Sequence, residues 1–216
     1  MEDRIISKAV ISRLPRYFRY LGDLMRNGVE RISSKELSEM MKVTASQIRQ
    51  DLNTFGGFGQ QGYGYNVKYL YDEIAKILGV NHKHHMIIIG AGNLARSLAN
   101  YNGFNNFGYY VIGLFDHNPA LKGIMFNGIP IRMLDELPEF LTHVNVSVAA
   151  LAVPKEAAHD VAQFIIDNGI KAIWNFVQTD LEIELPSNVV VQNVHLSDSL
   201  MQLSYSMTVA EREAQE

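Results

Sequence analysis

A short apolar run, Met86-Ile87-Ile88-Ile89, feeds directly into Gly90-Ala91-Gly92-Asn93-Leu94-Ala95, and an apolar-periodic segment from Leu94 to Tyr101 follows. Strand, G-x-G-x-x-A turn and helix in that order constrain the fold more than any other feature of the chain. The first glycine permits the tight turn, the second lets a ligand come close to the backbone, and the third small position lets the helix pack on the strand. The helix N-terminus then turns unpaired N–H groups toward a phosphate. The next apolar run, Tyr110 to Phe115, ends in Asp116, at the spacing where an acidic residue meets the 2′-hydroxyl of an adenosine ribose and would repel a 2′-phosphate. Gly90, Ala91, Gly92, Asn93, Leu94, Ala95 and Asp116 are therefore candidate dinucleotide-binding residues, with NAD(H) favoured over NADP(H).

Some eighty residues precede this unit and read differently. Residues 1–80 carry 12 Lys+Arg against 9 Asp+Glu, and residues 81–216 carry 7 against 14, so a mildly basic part (+3) joins an acidic one (−7). Only the first suits a polyanionic partner. Cysteine is absent, which excludes disulfides and thiolate metal sites, and no apolar run reaches membrane-spanning length. These features lead us to expect a protein of the cytoplasm. His82, His84 and His85 are clustered, yet on a short polar linker they read as solvated rather than as metal ligands.

Ile5 to Met25 has helical periodicity, with Pro15 expected to begin a new helical stretch after an N-terminal arm. Ser33-Ser34-Lys35-Glu36 is a capping box opening a helix with Leu37, Met40 and Met41, and Thr44 to Gln47 opens another with Ile48 and Leu52 inward. The tight link between them is helix-turn-helix spacing. Ser46, Gln47, Arg49, Gln50 and Asn53 then face outward, the side-chain types that read base edges. Phe55 to Tyr65 reads as a glycine-rich hairpin wing, with Tyr63 and Tyr65 packing back on the helices, and Val67 to Leu78 as a helix stopped by Gly79. The candidate DNA-binding set is Arg13, Arg16, Thr44, Ser46, Gln47, Arg49, Gln50, Asn53, Gly59, Gln60, Gln61 and Gly62.

Beyond Asp116, strands are expected over Ser147–Val153, Ile170–Phe176 and Val189–Val191, with a helix over Lys155–Asn168 and a last one over His195–Glu213. Alternating strands and helices give a parallel sheet covered on both faces. The fold class is α/β, with a winged helix over residues 1–80, a Rossmann-like domain over 81–194 and a C-terminal helix over 195–216. No separate substrate domain remains, and Tyr101 and His195 are weak candidates for catalysis. An oxidoreductase carrying a winged helix, and a regulator whose Rossmann-like domain binds CoA, stay open as alternatives to a nucleotide-sensing regulator.

The chain resembles the bacterial redox-sensing transcriptional repressor family Rex over nearly its whole length. The resemblance rests on Ile11–Leu14, Val43–Leu52, Gly62–Tyr65, Gly90–Ala95, Phe115–Asp116, Val153–Ala158 and Asn175–Phe176. It implies a homodimer that exchanges C-terminal helices, binds palindromic operator DNA and loses it when NADH replaces NAD⁺. It adds Tyr101, Val153, Pro154, Phe176 and His195 to the cofactor-binding set. Three positions depart from the family pattern: Ala95 for a common glycine, Gln50 and Gln60-Gln61 for residues often basic, and His195 for an aspartate. That aspartate pairs across the dimer with an N-terminal arginine, here Arg19, and a tyrosine, here Tyr101. A neutral imidazole cannot neutralise Arg19 in the same way.

Overall fold

The computed structural model describes residues 7–54, 59–60 (backbone only), 63–181, 186 and 188–214. The chain divides into two compact units, Met1–His82 and Lys83–Glu216.

The first unit is built from α1 (Lys8–Arg26), β1 (Arg31–Ile32), α2 (Ser34–Met41), α3 (Ala45–Thr54), β2 (Gly59–Gln60), β3 (Gly64–Asn66) and α4 (Val67–Leu78). Helix α1 runs straight through Pro15 instead of restarting there. The proline deprives the Ile11 carbonyl of one bond, but Ile11 is exposed, so water can take its place. Leu14, Tyr17, Phe18, Leu21 and Leu24 bury one side of the same helix, and each large apolar side chain so buried contributes roughly 1.5–3 kcal/mol. They meet Ile32, Leu37, Met41, Ile48, Leu52, Tyr65, Leu70 and Ile74 in one core. The Ser33–Glu36 capping box forms in both directions, at 3.1 and 2.8 Å. Leu37 and Met41 of α2 are buried and Met40 is exposed.

Strand β3 pairs antiparallel with both β1 and β2. The hairpin is thus present at its described end, whereas Phe55–Phe58, Gln61 and Gly62 lie outside the described residues. Strand β1 is an addition to the sequence expectation. Gly64, at φ +69°, would put a Cβ 2.6 Å from the Ile32 carbonyl oxygen, so only glycine lets β1 and β3 approach this closely. Tyr65 is buried as expected, but Tyr63 is exposed.

In the second unit, β4 (His84–Ile89), α5 (Asn93–Asn100), β5 (Tyr109–Asp116), β6 (Met125–Phe126), β7 (Ile129–Met133), α6 (Leu137–His143), β8 (Val148–Leu151), α7 (Lys155–Asp167), β9 (Ala172–Asn175), β10 (Val190–Asn193) and α8 (Leu196–Glu213) follow in order. The seven strands lie β10-β9-β8-β4-β5-β7-β6, parallel except for the β6–β7 hairpin at one edge. His84 and His85 belong to β4, not to a linker. Alternation along β4 sends Met86 and Ile88 to the face covered by Ala95 and Ala99 of α5, and Ile87 and Ile89 to the face covered by Ala158 and Ala162 of α7. Small residues on both helices let them lie close to the sheet. Helix α8 buries none of its residues, and Leu196, Leu200, Leu203 and Met207 are all exposed. No described helix is long and apolar enough to cross a membrane.

Candidate DNA-reading and nucleotide sites

On the first unit the candidate reading face belongs to α3. Thr44 caps it, its Oγ1 accepting from the Gln47 N–H at 3.1 Å. Ser46, Arg49, Gln50 and Asn53 are exposed, and Gln47 is half-buried. Arg49 donates to the Ser34 Oγ at 3.0 Å, which ties α3 to the start of α2. Gly59 and Gln60 form β2, beside this helix in sequence.

Arg13 and Arg16 are each half-buried and bond to groups of their own unit. Arg13 forks onto Asp51 with two bonds of 2.7 Å, because a carboxylate buried among apolar residues requires a counter-ion. Arg16 donates to the Met41 carbonyl, an acceptor left unpaired where α2 ends. Asp51 also accepts from the Tyr17 hydroxyl at 3.0 Å and from Gln47 Nε2 at 2.7 Å. Burial pushes the Asp51 carboxyl up, but the bonds from Arg13, Gln47 and Tyr17, with the Arg13 charge, outweigh it and hold the group below its ordinary value. Burial, with Asp51 adjacent, pushes the Tyr17 phenol up. Sequence reasoning did not find this hub. Its signal was an aspartate interrupting the inward face of α3 between Ile48 and Leu52, one turn after Gln47.

On the second unit the strand order reverses between β4 and β8, and a ligand crevice is expected outside the carboxyl ends of the strands at such a reversal. Gly90 leaves β4 at φ +98°, and a Cβ there would stand 2.3 Å from the Ala152 carbonyl oxygen. Its N–H donates to the Phe115 carbonyl at 2.8 Å. Gly92, the N-cap residue of α5, has open space where its Cβ would be. Asn93 and Leu94 begin α5, and Ala95 is wholly buried against the sheet.

Asp116 ends β5 and is nearly buried. Its Oδ2 accepts from the Ala91 N–H at 2.7 Å and its Oδ1 from the Asn118 N–H at 2.8 Å. The acid expected at a ribose is thus joined directly to the glycine-rich turn, and each oxygen retains a second lone pair. Arg96, unassigned from sequence, holds the other side of the same peptide. Its Nε donates to the Ala91 carbonyl at 3.0 Å while its guanidinium lies 4.6 Å over the Phe126 ring.

Val153 and Pro154 follow β8, with Val153 Cγ1 3.4 Å from the Cβ position of Gly90 and Pro154 preceding the first turn of α7. Tyr101 packs edge-on against Phe104, Phe104 against Trp174, and Trp174 against Phe176, at 4.8, 5.4 and 4.4 Å between ring centres. An aromatic row thus links Tyr101 to Phe176. His195 stands apart from that row. Its Nε2 lies 3.2 Å from Asp180 Oδ1, in a network that continues through Asn193 to the buried Asn175.

Among the described residues no group of three or more His, Cys, Asp or Glu is arranged to hold a metal ion. His84 stacks on Tyr109 and His85 Nδ1 lies 3.1 Å from the Asn145 carbonyl. Two hollows of about 370 and 450 Å³ lie around α6, one lined by residues that lead into β8 and β9, and neither includes a residue of the crevice.

Residues 5–53 match the family model described as "Putative DNA-binding protein N-terminus", and residues 81–179 match that described as "CoA binding domain". The chain is 53% identical over 202 residues to a protein of Clostridium novyi named redox-sensing transcriptional repressor Rex, covering 94% of this chain and 95% of that protein. Among solved structures, RSP in complex with β-NAD⁺ and operator DNA is 49% identical, with a TM-score of 0.90 over 99% of this chain and 97% of that one. RSP in complex with β-NADH is 46% identical, with a TM-score of 0.88 over 99% of each chain. Identity of about half the residues along almost the full length, over both units, shows that the chain belongs to the Rex family of redox-sensing transcriptional repressors.

Proposed function

We propose that this chain binds operator DNA as a homodimer through the outward face of α3 and lets it go when NADH replaces NAD⁺ in the crevice outside the carboxyl ends of β4 and β8, beside the end of β5. The observation that carries this reading is the Asp116 carboxylate bonded to the glycine-rich turn at the reversal of strand order, in a chain that also exposes Arg49, Gln50 and Asn53 on a helix-turn-helix. RSP has been seen with β-NAD⁺ and operator DNA together and with β-NADH, and both of those structures span the same length of chain as this one.

In this reading, residues 1–80 meet DNA, 81–194 hold the nucleotide, and 195–216 join two copies. The exposed apolar side of α8 supports the last assignment. Gly90 to Ala95 take the diphosphate and Asp116 the adenosine ribose. These contacts act on NAD⁺ and NADH alike, so they give affinity without a switch. The two forms differ in ring charge and planarity. Discrimination therefore falls to the nicotinamide end, assigned to Tyr101, Val153, Pro154, Phe176 and His195. If NADH favours the dimer arrangement in which the α3 helices leave half-site spacing, operator affinity falls by linkage. The role is regulatory, not catalytic, and is exercised at the chromosome in the cytoplasm.

The test is a gel-shift titration of a duplex selected by this protein from a random library, against NADH at fixed NAD⁺. Release by NADH but not by NAD⁺ is expected. Retention regardless of oxidation state would overturn the proposal, release by CoA would favour a CoA sensor, and turnover of NADH would favour an enzyme.

A further inference from the structure

Four donors converge on Asp51, whose side chain is wholly buried. An ionised carboxylate only accepts hydrogen bonds, so the group Gln47 turns toward it has to be an amide N–H. Nε2 stands 2.7 Å from Asp51 Oδ1. The carboxylate cannot swing to suit another partner, because Arg13 grips both of its oxygens and Tyr17 holds one of them from α1. The orientation of the Gln47 amide is therefore fixed from inside the protein before any duplex arrives. Gln47 lies between Ser46 and the exposed Arg49-Gln50 pair, within the candidate reading face. With one N–H tied back, it can offer Oε1 as an acceptor and a single remaining N–H.

We infer that Asp51 is a positioning residue that sets the polarity of Gln47, so that this point of the reading face seeks an exocyclic amine, adenine N6 or cytosine N4. A guanine edge offers N7 and O6, both acceptors, and a glutamine that has already spent one N–H cannot satisfy the pair. The inference rests on α3 being the DNA-reading helix and names the base chemistry that one of its side chains demands.

The test uses the full chain and the duplex it enriches from a random library. Adenines are replaced one at a time by purine, which lacks the N6 amine, and cytosines by pyrimidin-2-one, which lacks the N4 amine. One such deletion per half-site should weaken binding by about tenfold or more, the range of a good base contact. In Gln47→Met the same deletion should cost less than twofold.

Asp51→Asn supplies a readout that simple destabilisation would not give. An asparagine that keeps its oxygen on Arg13 Nε and the Tyr17 hydroxyl, in the place of Oδ2, gives up the Arg13 Nη2 bond and turns an N–H toward Gln47; the glutamine amide then reverses, and the preferred base at that position moves to guanine or thymine. The Gln47→Met cycle decides the matter if Asp51→Asn fails to fold. Dependence of Gln47 on a guanine or thymine acceptor in the unaltered protein, or on no base at all, would overturn the inference while leaving DNA binding standing. Failure of the library to enrich any duplex would overturn both.

Discussion

In the first unit the candidate reading helix, α3, is held by side chains. Arg13, Tyr17 and Gln47 reach one buried carboxylate from α1 and α3, and the geometry is secured by charge. In the second unit the glycine-rich turn is shaped by close approach of main chain and fastened through its own peptide groups. Gly90 passes too close to the Ala152 carbonyl for any side chain, and Asp116 grips the backbone N–H of Ala91. The first arrangement depends on ionisation. The second depends on shape, and only its acid is open to chemistry.

Asp51→Ala should produce the largest loss, about 3 kcal/mol, because it strands the Arg13 guanidinium and the Tyr17 hydroxyl near the core. A shift of the urea midpoint of the first unit measures it. The same hub predicts a pH profile. Asp51 titrates below its ordinary value in the folded chain, so its contribution is present above the usual carboxylate range and is lost as pH falls through the depressed folded value. At the alkaline end Tyr17, raised by burial, ionises more readily when unfolded, and stability falls again as pH rises through the ordinary phenol range. A flat acid limb would break the account of a charge-held site.

Gly90→Ala should cost the second unit roughly 2 kcal/mol or more, from a positive φ and a clash with main chain. Asp116→Ala removes the acceptor of two backbone N–H groups, worth about 1–3 kcal/mol, and should weaken NADH and NAD⁺ by the same factor in fluorescence titrations. Retained NADH affinity would contradict the ribose assignment. Gly92→Ala sharpens the comparison most. Its Cβ meets nothing, so the melting temperature should move by less than the equivalent of about 1 kcal/mol, while NADH binding weakens by about tenfold because a methyl group now faces the diphosphate. If Gly90 and Gly92 behave alike, sterics do not divide folding from binding in this turn. Arg49→Ala should have the smallest effect on stability, within about 0.5 kcal/mol for an exposed residue, yet abolish selection of a duplex with NADH affinity unchanged.

Much of this was legible in the sequence where punctuation was strong. The run into Gly90, the strand ending at Asp116, the helix after Pro154 and the stop at Gly79 stand within a few residues of where glycine, proline and apolar runs set them. Residues 117–146 were left unassigned, although Asn127-Gly128 supplies the two positive φ angles, +48° and +79°, of the tight turn joining β6 to β7. Those strands are too short for their alternation to register. Pro15 misled because local propensity ignored Tyr17, Phe18, Leu21 and Leu24, the four buried side chains that carry α1 past it. The Arg13–Asp51 pair was not legible because its partners lie 38 residues apart, a distance no periodicity spans.

The row from Tyr101 to Phe176 contains Trp174, the sole tryptophan of the chain. Indole emission therefore reports from one known location without any label or engineered dye. Quenching or energy transfer on adding a reduced pyridine nucleotide would thus be read from that single indole of each chain, and the same cuvette could follow a titration with or without duplex present.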